Sequence, residues 1–304
     1  MTKPKVSVIL PIYNGEKTLA RTLDSIVNQT FQDFEVIACI DGTNDNSENI
    51  LESYQTKIKN LRIIKNKVNL GLGSTMNRLF GYTKGEYVAV AEQDDYYYKD
   101  RLSLQVEILD TKSNVGIVSG IADFWDGNKI TMKFPGLLVN GGQYPKGKEL
   151  FLSNYRNQIK VVNSCMMIRK DTHLSNGLYF SKHYPSIPVD WCYVLRFSLV
   201  SDIHGIHQSL VKLDRRTDRT SVTSNIAKKF SASRELIRSF KYEYPTIITV
   251  KDYKYAMRTQ NVMEMNAKSR FSYIIYFLKY VIACPTEKRY YASFNKRINF
   301  FLNK

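Results

Sequence analysis

Two hydrophobic periods alternate along the first hundred residues. Val6 to Leu10 reads as a buried strand, Lys17 to Gln29 sets Leu19, Leu23, Ile26 and Val27 at helical spacing, and Phe34 to Ile40 reads as a second strand. Ser47 is expected to cap a helix running to about Lys59. Leu61 to Ile64 follows as a third strand, Leu72 to Tyr82 as a helix, and Tyr87 to Ala91 as a fourth strand. Strands alternating with helices predict a Rossmann-like, mostly parallel α/β sheet flanked by helices. Ligands of such sheets bind beyond the carboxyl ends of the strands. Tyr13-Asn14-Gly15-Glu16, Asp41-Gly42 and Asp94-Asp95 are all expected to emerge there, so three segments converge on one edge. Further on, Ser209 to Leu213 reads as a strand, and the stretch from Phe124 to Lys160, rich in Gly, Asn and Lys, as a long loop.

The fourth strand delivers Glu92, Asp94 and Asp95 together. Three acids within four positions repel one another unless a cation or a proton sits among them, which points to a metal or active site. The plainer reading is an acidic turn that caps the next helix. No G-x-x-x-x-G-K-[ST] loop occurs, and Pro11-Ile-Tyr-Asn-Gly-Glu16 lacks the G-x-G-x-x-G fingerprint. Gly71-Leu72-Gly73 reads as a tight turn. Carboxylates facing a phosphorylated ligand need a divalent cation between them, so a nucleotide diphosphate with its metal is the simplest ligand.

Four landmarks, in order, carry a family resemblance. They are Val6-Ser-Val-Ile-Leu-Pro-Ile-Tyr-Asn-Gly-Glu16 with Leu23-Asp-Ser-Ile-Val-Asn-Gln-Thr30, and Ile40-Asp-Gly-Thr-Asn-Asp-Asn-Ser47. Next comes Asn69 to Asn77 with Lys84-Gly-Glu-Tyr87, leading into Glu92-Gln-Asp-Asp95 and Arg101-Leu102, and last Val189-Asp-Trp-Cys-Tyr-Val-Leu-Arg196. In this order and spacing, from residue 6 to about 223, the chain resembles the family 2 glycosyltransferases, inverting enzymes of the A-type glycosyltransferase fold that use nucleotide sugars. The resemblance implies that Asp41 accepts a hydrogen bond from the uracil imide, that Pro11, Tyr13 and Asn14 line the base, and that Glu16 lies near it. It implies that Asp94 coordinates a divalent metal, Mn2+ or Mg2+, bridging the donor's phosphates, while Glu92 and Asp95 hold the ribose, the metal's water or the sugar. Asp190 is implied to be the general base, and Arg216 to pair with phosphate oxygens; a solvated basic loop with Arg215 and Arg219 is the other reading of Arg216.

Three positions depart from the family pattern: Glu92 stands where Asp is usual, Val189-Asp190 offers one carboxylate where two are common, and Asp218 stands at a His position. The resemblance assigns residues 1–225 to a catalytic domain, with nucleotide-sugar binding in 1–110 and acceptor binding and the base in 111–225. Residues 226–304 form a basic, mainly helical extension. The implied role is in polysaccharide, lipid-linked oligosaccharide or glycolipid synthesis, with a saccharide or lipid-linked acceptor.

Composition refines this picture. Cys39, Cys165, Cys192 and Cys284 show no metal-like spacing and are expected as thiols in a reducing cytoplasm. A zinc site at His204 and His207 lacks nearby cysteines. Trp125 and Trp191 are core candidates, and Trp191, beside Asp190, is also a candidate to stack on an acceptor sugar. Residues 1–5 lead into too short an apolar stretch for a secretory leader, and Phe271 to Cys284 is too short to span a bilayer, so the expected location is cytoplasmic, with peripheral contact at an inner membrane face. Residues 211–304 hold 20 Lys and Arg against 7 Asp and Glu, a net +13 of the chain's +16. Their interleaved aromatic, aliphatic and basic residues suit an anionic membrane surface, or packing of the tail on the catalytic domain. Two rivals are a nucleotidyltransferase and a basic nucleic-acid binder; the first lacks its Gly-rich basic loop after the first strand, and the second leaves Asp41 and Asp94 unexplained.

Overall fold

The computed structural model describes residues 3–134, 138–139, 142–158, 162–182, 189–216 and 226–302. The chain divides into two compact units, Met1–Phe151 with Ile159–Ser224, and Leu152–Gln158 with Asn225–Lys304. In chain order, β1 (Val6–Ile12), α1 (Leu19–Val27), β2 (Phe34–Asp41), α2 (Ser47–Ser53), β3 (Leu61–Asn66), α3 (Leu72–Phe80) and β4 (Tyr87–Val90) alternate strand and helix. Then come β5 (Asp95–Tyr97), α4 (Arg101–Thr111), β6 (Val115–Trp125), β7 (Ile130–Phe134), β8 (Leu138–Val139), β9 (Gly142–Gln143) and α5 (Gly147–Asn157). A 3-10 turn at Asn163–Cys165 leads to β10 (Met167–Arg169), α6 (Lys170–Ser175), α7 (Val189–Phe197) and β11 (Asp202–Asp214). Four helices close the chain: α8 (Ile226–Glu243), α9 (Val250–Asn266), α10 (Arg270–Ala283) and α11 (Lys288–Leu302).

The first unit is built on one sheet in the order β3-β2-β1-β4-β10-β6-β11-β5, with β7 on β6. The pairs among β3, β2, β1 and β4 are parallel, β10 runs antiparallel to β4 and β6, and β11 pairs parallel with β6. Helices cover both faces, which is why β1 and β2 are apolar without alternation. Val6, Val8, Leu10, Val36 and Ala38 enter one core with Leu19 and Leu23 of α1 and Leu102 and Val106 of α4. Ile9, Ile37 and Cys39 enter the other with Met76 of α3 and Val189, Tyr193 and Phe197 of α7. Each fully buried aliphatic contributes roughly 1.5–3 kcal/mol, so the sheet is a firm platform for what its loops carry.

The mostly parallel α/β sheet and the helical tail stand as the patterns imply, with local differences. α2 stops at Ser53, and turns at residues 54–57 bring Ile58 to the core without further helix. Ser47 is the first helical residue after the N-cap Asn46, and its N–H donates to Asp45 Oδ1 at 3.0 Å. Asp45 therefore serves the helix start that Ser47 was expected to cap. Within the expected long loop after Phe124, β7 pairs antiparallel with β6 and residues 147–157 are helical. β7 was illegible because its residues are exposed apart from half-buried Phe134, so no core-facing period marks them. β11 extends from Asp202, well before Ser209.

The second unit packs Met265, Tyr273, Tyr280 and Tyr290 into a small core. Thr249 and Asp252 form a reciprocal capping box at the start of α9. Glu264 accepts hydrogen bonds from Arg234, Gln260 and Tyr280 at 2.6, 3.0 and 2.9 Å, so the buried carboxylate is satisfied on every side. Among the described residues no helix is long and apolar enough to cross a membrane.

His173 of α6 is buried, stacks on Phe80 with ring centroids 4.0 Å apart, and has Nδ1 2.8 Å from the Tyr193 hydroxyl. Burial pushes its pKa down to about 4, so the folded state favours the neutral ring. Its contribution is complete above the unfolded value near 6.5 and is lost as pH falls through about 4. Stability measured by urea unfolding is expected to fall by about 3 kcal/mol over that window, and His173→Phe to flatten this limb; an unchanged slope in the variant refutes the assignment.

Candidate active site

Strand order reverses between β1 and β4, the topological switch point at which α/β sheets bind ligands. One side chain ties the two loops there. Gln93, after β4, accepts the Tyr13 N–H on Oε1 at 2.7 Å and donates from Nε2 to the Tyr13 carbonyl at 2.8 Å. A Cβ on Gly15 would lie 2.8 Å from this amide, so a larger residue there would displace the Gln93 side chain. Asn14, left-handed at φ 51°, donates its N–H to Thr43 Oγ1 at 2.8 Å and accepts the Asn44 N–H on Oδ1 at 3.1 Å. The Glu16 N–H donates to Asp45 at 2.9 Å, and Glu16 Oε2 accepts the Asn46 N–H at 3.1 Å. Pro11 lies within β1, and Tyr13 leaves 43% of its surface exposed at the rim.

Asp41 ends β2 and is buried. Its carboxylate accepts the Asn66 amide at 2.7 Å and the N–H groups of Leu70 and Gly71 at 2.9 and 3.1 Å. Gly42 turns the chain away at φ +67°, and a Cβ there would stand 2.4 Å from the Asn69 nitrogen. The turn around Gly71 is thus the holder of Asp41.

Glu92, Asp94 and Asp95 each offer an oxygen within 4.8 Å of the others. Two oxygens on one hard cation at 2.0–2.6 Å stand at most roughly 4–5 Å apart, so the donor set fits a divalent ion. Around them the protein supplies positive or donating groups. Ser164 donates to Asp95 Oδ2 at 2.6 Å, Asn163 to Glu92 Oε1 at 3.1 Å, and Arg21 Nη2 to the Asp94 carbonyl at 2.9 Å. Thr22 Oγ1 lies 2.9 and 2.7 Å from the carbonyls of Gln93 and Asp95. Arg101 is buried, donates to the Val90 and Met166 carbonyls at 2.8 and 3.2 Å, and stacks its guanidinium 4.5 Å from the Tyr97 ring centroid. Burial pulls the Arg101 pKa down, while Tyr97, Cys165 and Asp95 act to raise it.

Arg216 is drawn into a local pair. Its Nε lies 3.1 and 3.0 Å from the two oxygens of Asp214, its Nη2 lies 2.8 Å from one of them, and Arg21 Nη2 reaches the same carboxylate at 3.0 Å. Burial alone would raise the Asp214 pKa, but Arg216 and Arg21 hold it down to about 2. Trp125, expected in the core, is partly exposed and lies beside Arg21, Lys212 and Arg216, 5.6, 5.1 and 5.8 Å from its ring centroid. Asp218 lies outside the described residues. Asp190 stands in the first turn of α7 and accepts the Trp191 N–H on Oδ1 at 2.9 Å. Trp191 is only 5% exposed, a core residue with no face to offer a sugar. Among the described residues the acidic triad is the only such group of possible metal-holding side chains, and His204 and His207 belong to none.

The fold thus brings Tyr13, Asn14, Glu16, Asp41, Glu92, Asp94 and Asp95 to one end of neighbouring strands, with Pro11 in the strand beneath. Asp190 comes from another element. Sequence reasoning missed Arg21, Thr22, Asn163, Ser164 and Asp214. A signal existed: Thr22 falls at a core-facing position of α1, and Asn163-Ser164 interrupts an apolar run, and buried polar groups require partners.

The sheet order and the acidic cluster at its switch point define an A-type glycosyltransferase fold. The profile described as Glycosyl transferase family 2 matches residues 7–174, more than half of the chain, and the protein belongs to that family. The chain is 28% identical over 130 residues to the Escherichia coli UDP-Glc:alpha-D-GlcNAc-diphosphoundecaprenol beta-1,3-glucosyltransferase WfgD, covering 42% of this chain and 50% of that protein. S. aureus TarS 1-349 in complex with UDP-GlcNAc superposes with a TM-score of 0.62 at 20% identity, covering 78% of this chain and 66% of that one. Mannosyltransferase PcManGT from Pyrobaculum calidifontis, in complex with GDP-Man and Mn2+, superposes with a TM-score of 0.57 at 12% identity, covering 96% and 84%. The chain spans about half the length of curated relatives it matches. Membership replaces both rivals weighed from the sequence, the nucleotidyltransferase and the nucleic-acid binder.

The Asp214 pair gives a direct test. Asp214→Asn leaves two arginines without their shared counter-charge; because both are about a third exposed, the expected loss is about 2 kcal/mol rather than the larger cost of a wholly buried pair. In the parent, the contribution of Asp214 is complete above about pH 4 and is lost as pH falls toward 2, so the variant's deficit in thermal unfolding is expected to shrink over that range.

Proposed function

We propose that this glycosyltransferase moves a sugar from a UDP-linked donor to an acceptor hydroxyl, with a divalent metal and with inversion at the anomeric carbon. The acceptor is a saccharide or a lipid-linked glycan, met at the cytoplasmic face of a membrane. The observation that carries this reading is the convergence at the switch point, where the buried carboxylate of Asp41 and the triad Glu92, Asp94 and Asp95 end neighbouring strands. The relatives point the same way: WfgD is named for UDP-Glc and a diphosphoundecaprenol acceptor, and TarS 1-349 is solved in complex with UDP-GlcNAc.

In this reading Asp41, fixed by three donors, presents a remaining lone pair to the imide N–H of uracil, and Tyr13, Asn14 and Pro11 flank the base with Glu16 beside them. Asp94 holds the cation, with Glu92 and Asp95 orienting ribose, water or sugar. When bound, that ion neutralises the charge developing on the departing diphosphate. Arg216, at the margin of the site, pairs with phosphate oxygens of the donor. Asp190 takes the acceptor hydroxyl's proton as attack proceeds from the opposite side of the sugar, sharpening the nucleophile in an oxocarbenium-like transition state.

Thermal-shift measurements with UDP- and GDP-sugars, with and without manganese, test the donor and metal. A UDP-sugar is expected to raise the melting temperature in a manganese-dependent way, and Asp94→Asn to abolish that dependence. A shift with GDP-sugars alone overturns the choice of base, and an equal shift without metal overturns the role of Asp94. For the base, Asp190→Asn is expected to keep the shift while turnover, read as UDP release, falls by roughly 10²–10⁴-fold; near-normal turnover removes Asp190 from the mechanism.

A further inference from the structure

Helix α10 carries apolar residues on two opposite faces. One face faces inward: Tyr273 and Tyr280 are buried in the core of the second unit, with Tyr276, Phe277 and Val281 packed against it. The other presents Phe271, Ile274, Ile275, Leu278 and Ile282 at the i, i+3, i+4, i+7 and i+11 positions of one stripe, exposed by 78, 49, 52, 52 and 81%. A solvated helix face is normally polar, and a contiguous apolar stripe of this kind marks an interaction surface.

The surrounding charge selects the partner. From Lys268 to Lys304 the sequence holds eight basic residues and one acid, Glu287, and that acid is engaged by Arg289 at 2.7 Å and Arg258 at 3.5 Å. Lys279 is exposed beside the stripe, with its ammonium 5.6 Å from the Tyr276 ring centroid, and Lys268 stands 4.4 Å from the same centroid. These cations lie against aromatic rings rather than carboxylates, which leaves the surface strongly positive. A second copy docked through this face would bring two such surfaces together, and like charges would oppose it. α10 has 14 residues, a length of about 21 Å against a hydrocarbon core of about 30 Å, so it lies along a bilayer instead of crossing it.

We propose that the outer face of α10 docks on an anionic phospholipid surface, with Phe271, Ile274, Ile275, Leu278 and Ile282 entering the acyl boundary and the flanking lysines and arginines meeting the headgroups. This rests on the membrane-surface part of the function proposed above and is independent of the donor chemistry, so lipid binding and UDP release are measured separately. The full chain is sedimented with vesicles of phosphatidylcholine alone and of phosphatidylcholine containing phosphatidylglycerol.

Binding is expected only with the anionic vesicles and should weaken steeply with added salt. The double substitution Ile275→Glu and Leu278→Glu is expected to lower the partition coefficient at least roughly ten-fold. Circular dichroism and the nucleotide-sugar thermal shift should be retained, because both side chains are half exposed. Unchanged partitioning of this variant, or equal binding to neutral vesicles, overturns the proposal. So does a concentration-dependent dimer of the parent in analytical ultracentrifugation that the same variant abolishes, since the face would then belong to a second copy.

Discussion

Mutual repulsion among carboxylates at one end of the sheet is the constraint on which the first unit is arranged. Two unit charges about 4 Å apart repel by roughly 4 kcal/mol at the effective dielectric of a protein surface, and Glu92, Asp94 and Asp95 stand within such distances of one another. The neighbouring structure is ordered around that cost. Ser164 and Asn163, brought in by the turn before β10, each donate to one carboxylate of the triad. Arg101 lies buried beneath the same segment, bonded to backbone carbonyls on β4 and before β10, and spreads positive charge under it without neutralising any one acid by direct contact. The antiparallel strand β10 therefore has a purpose beyond sheet completion, since the turn before it brings Asn163 and Ser164 to the switch point.

The arginines at the margin follow the same logic at longer range. Arg21 joins the Asp94 carbonyl to the carboxylate of Asp214, and Arg216 closes on that carboxylate from the other side. Asp214 is held ionised by these contacts, and the two guanidiniums it joins leave this margin with an excess of positive charge. A positive margin beside a cluster of acids sets two charges of opposite sign next to each other at the switch point.

How much of this was legible depended on how far apart in sequence the interacting groups lie. Asp41 and the triad could be found because each ends a strand whose apolar run reads clearly, and parallel topology puts such ends together without any knowledge of side-chain contacts. Gly42 and Gly71 read only as turns, although their physical task is to let the chain pass close to the Asp41 carboxylate and hold it. The pair of Arg21 with Asp214 spans 193 residues, and no local period announces it. β7 escaped notice for a different reason, being an exposed edge strand in which nothing faces a core. The helix expected to run from Ser47 to about Lys59 stops at Ser53, and a run of turns delivers the apolar Ile58 to the core instead.

The terminal helices show a limit of a subtler kind. In α10 aromatic and aliphatic residues interleave, so composition alone does not say which face turns inward. The packing answers by chemistry: a buried tyrosine needs a partner for its hydroxyl, and Tyr280 finds Glu264 at 2.9 Å while Tyr273 lies 3.2 Å from the Ser293 hydroxyl. The outer stripe holds only Phe, Ile and Leu, which carry no polar atom beyond the backbone and so have nothing to satisfy in hydrocarbon. The two buried tyrosines thus lie next to protein partners, with Phe277 and Val281 packed beside them, while the outer stripe is made of Phe, Ile and Leu alone. Water is a poor final neighbour for a stripe of Phe, Ile and Leu, because leaving that apolar surface solvated forgoes the free energy its burial would supply.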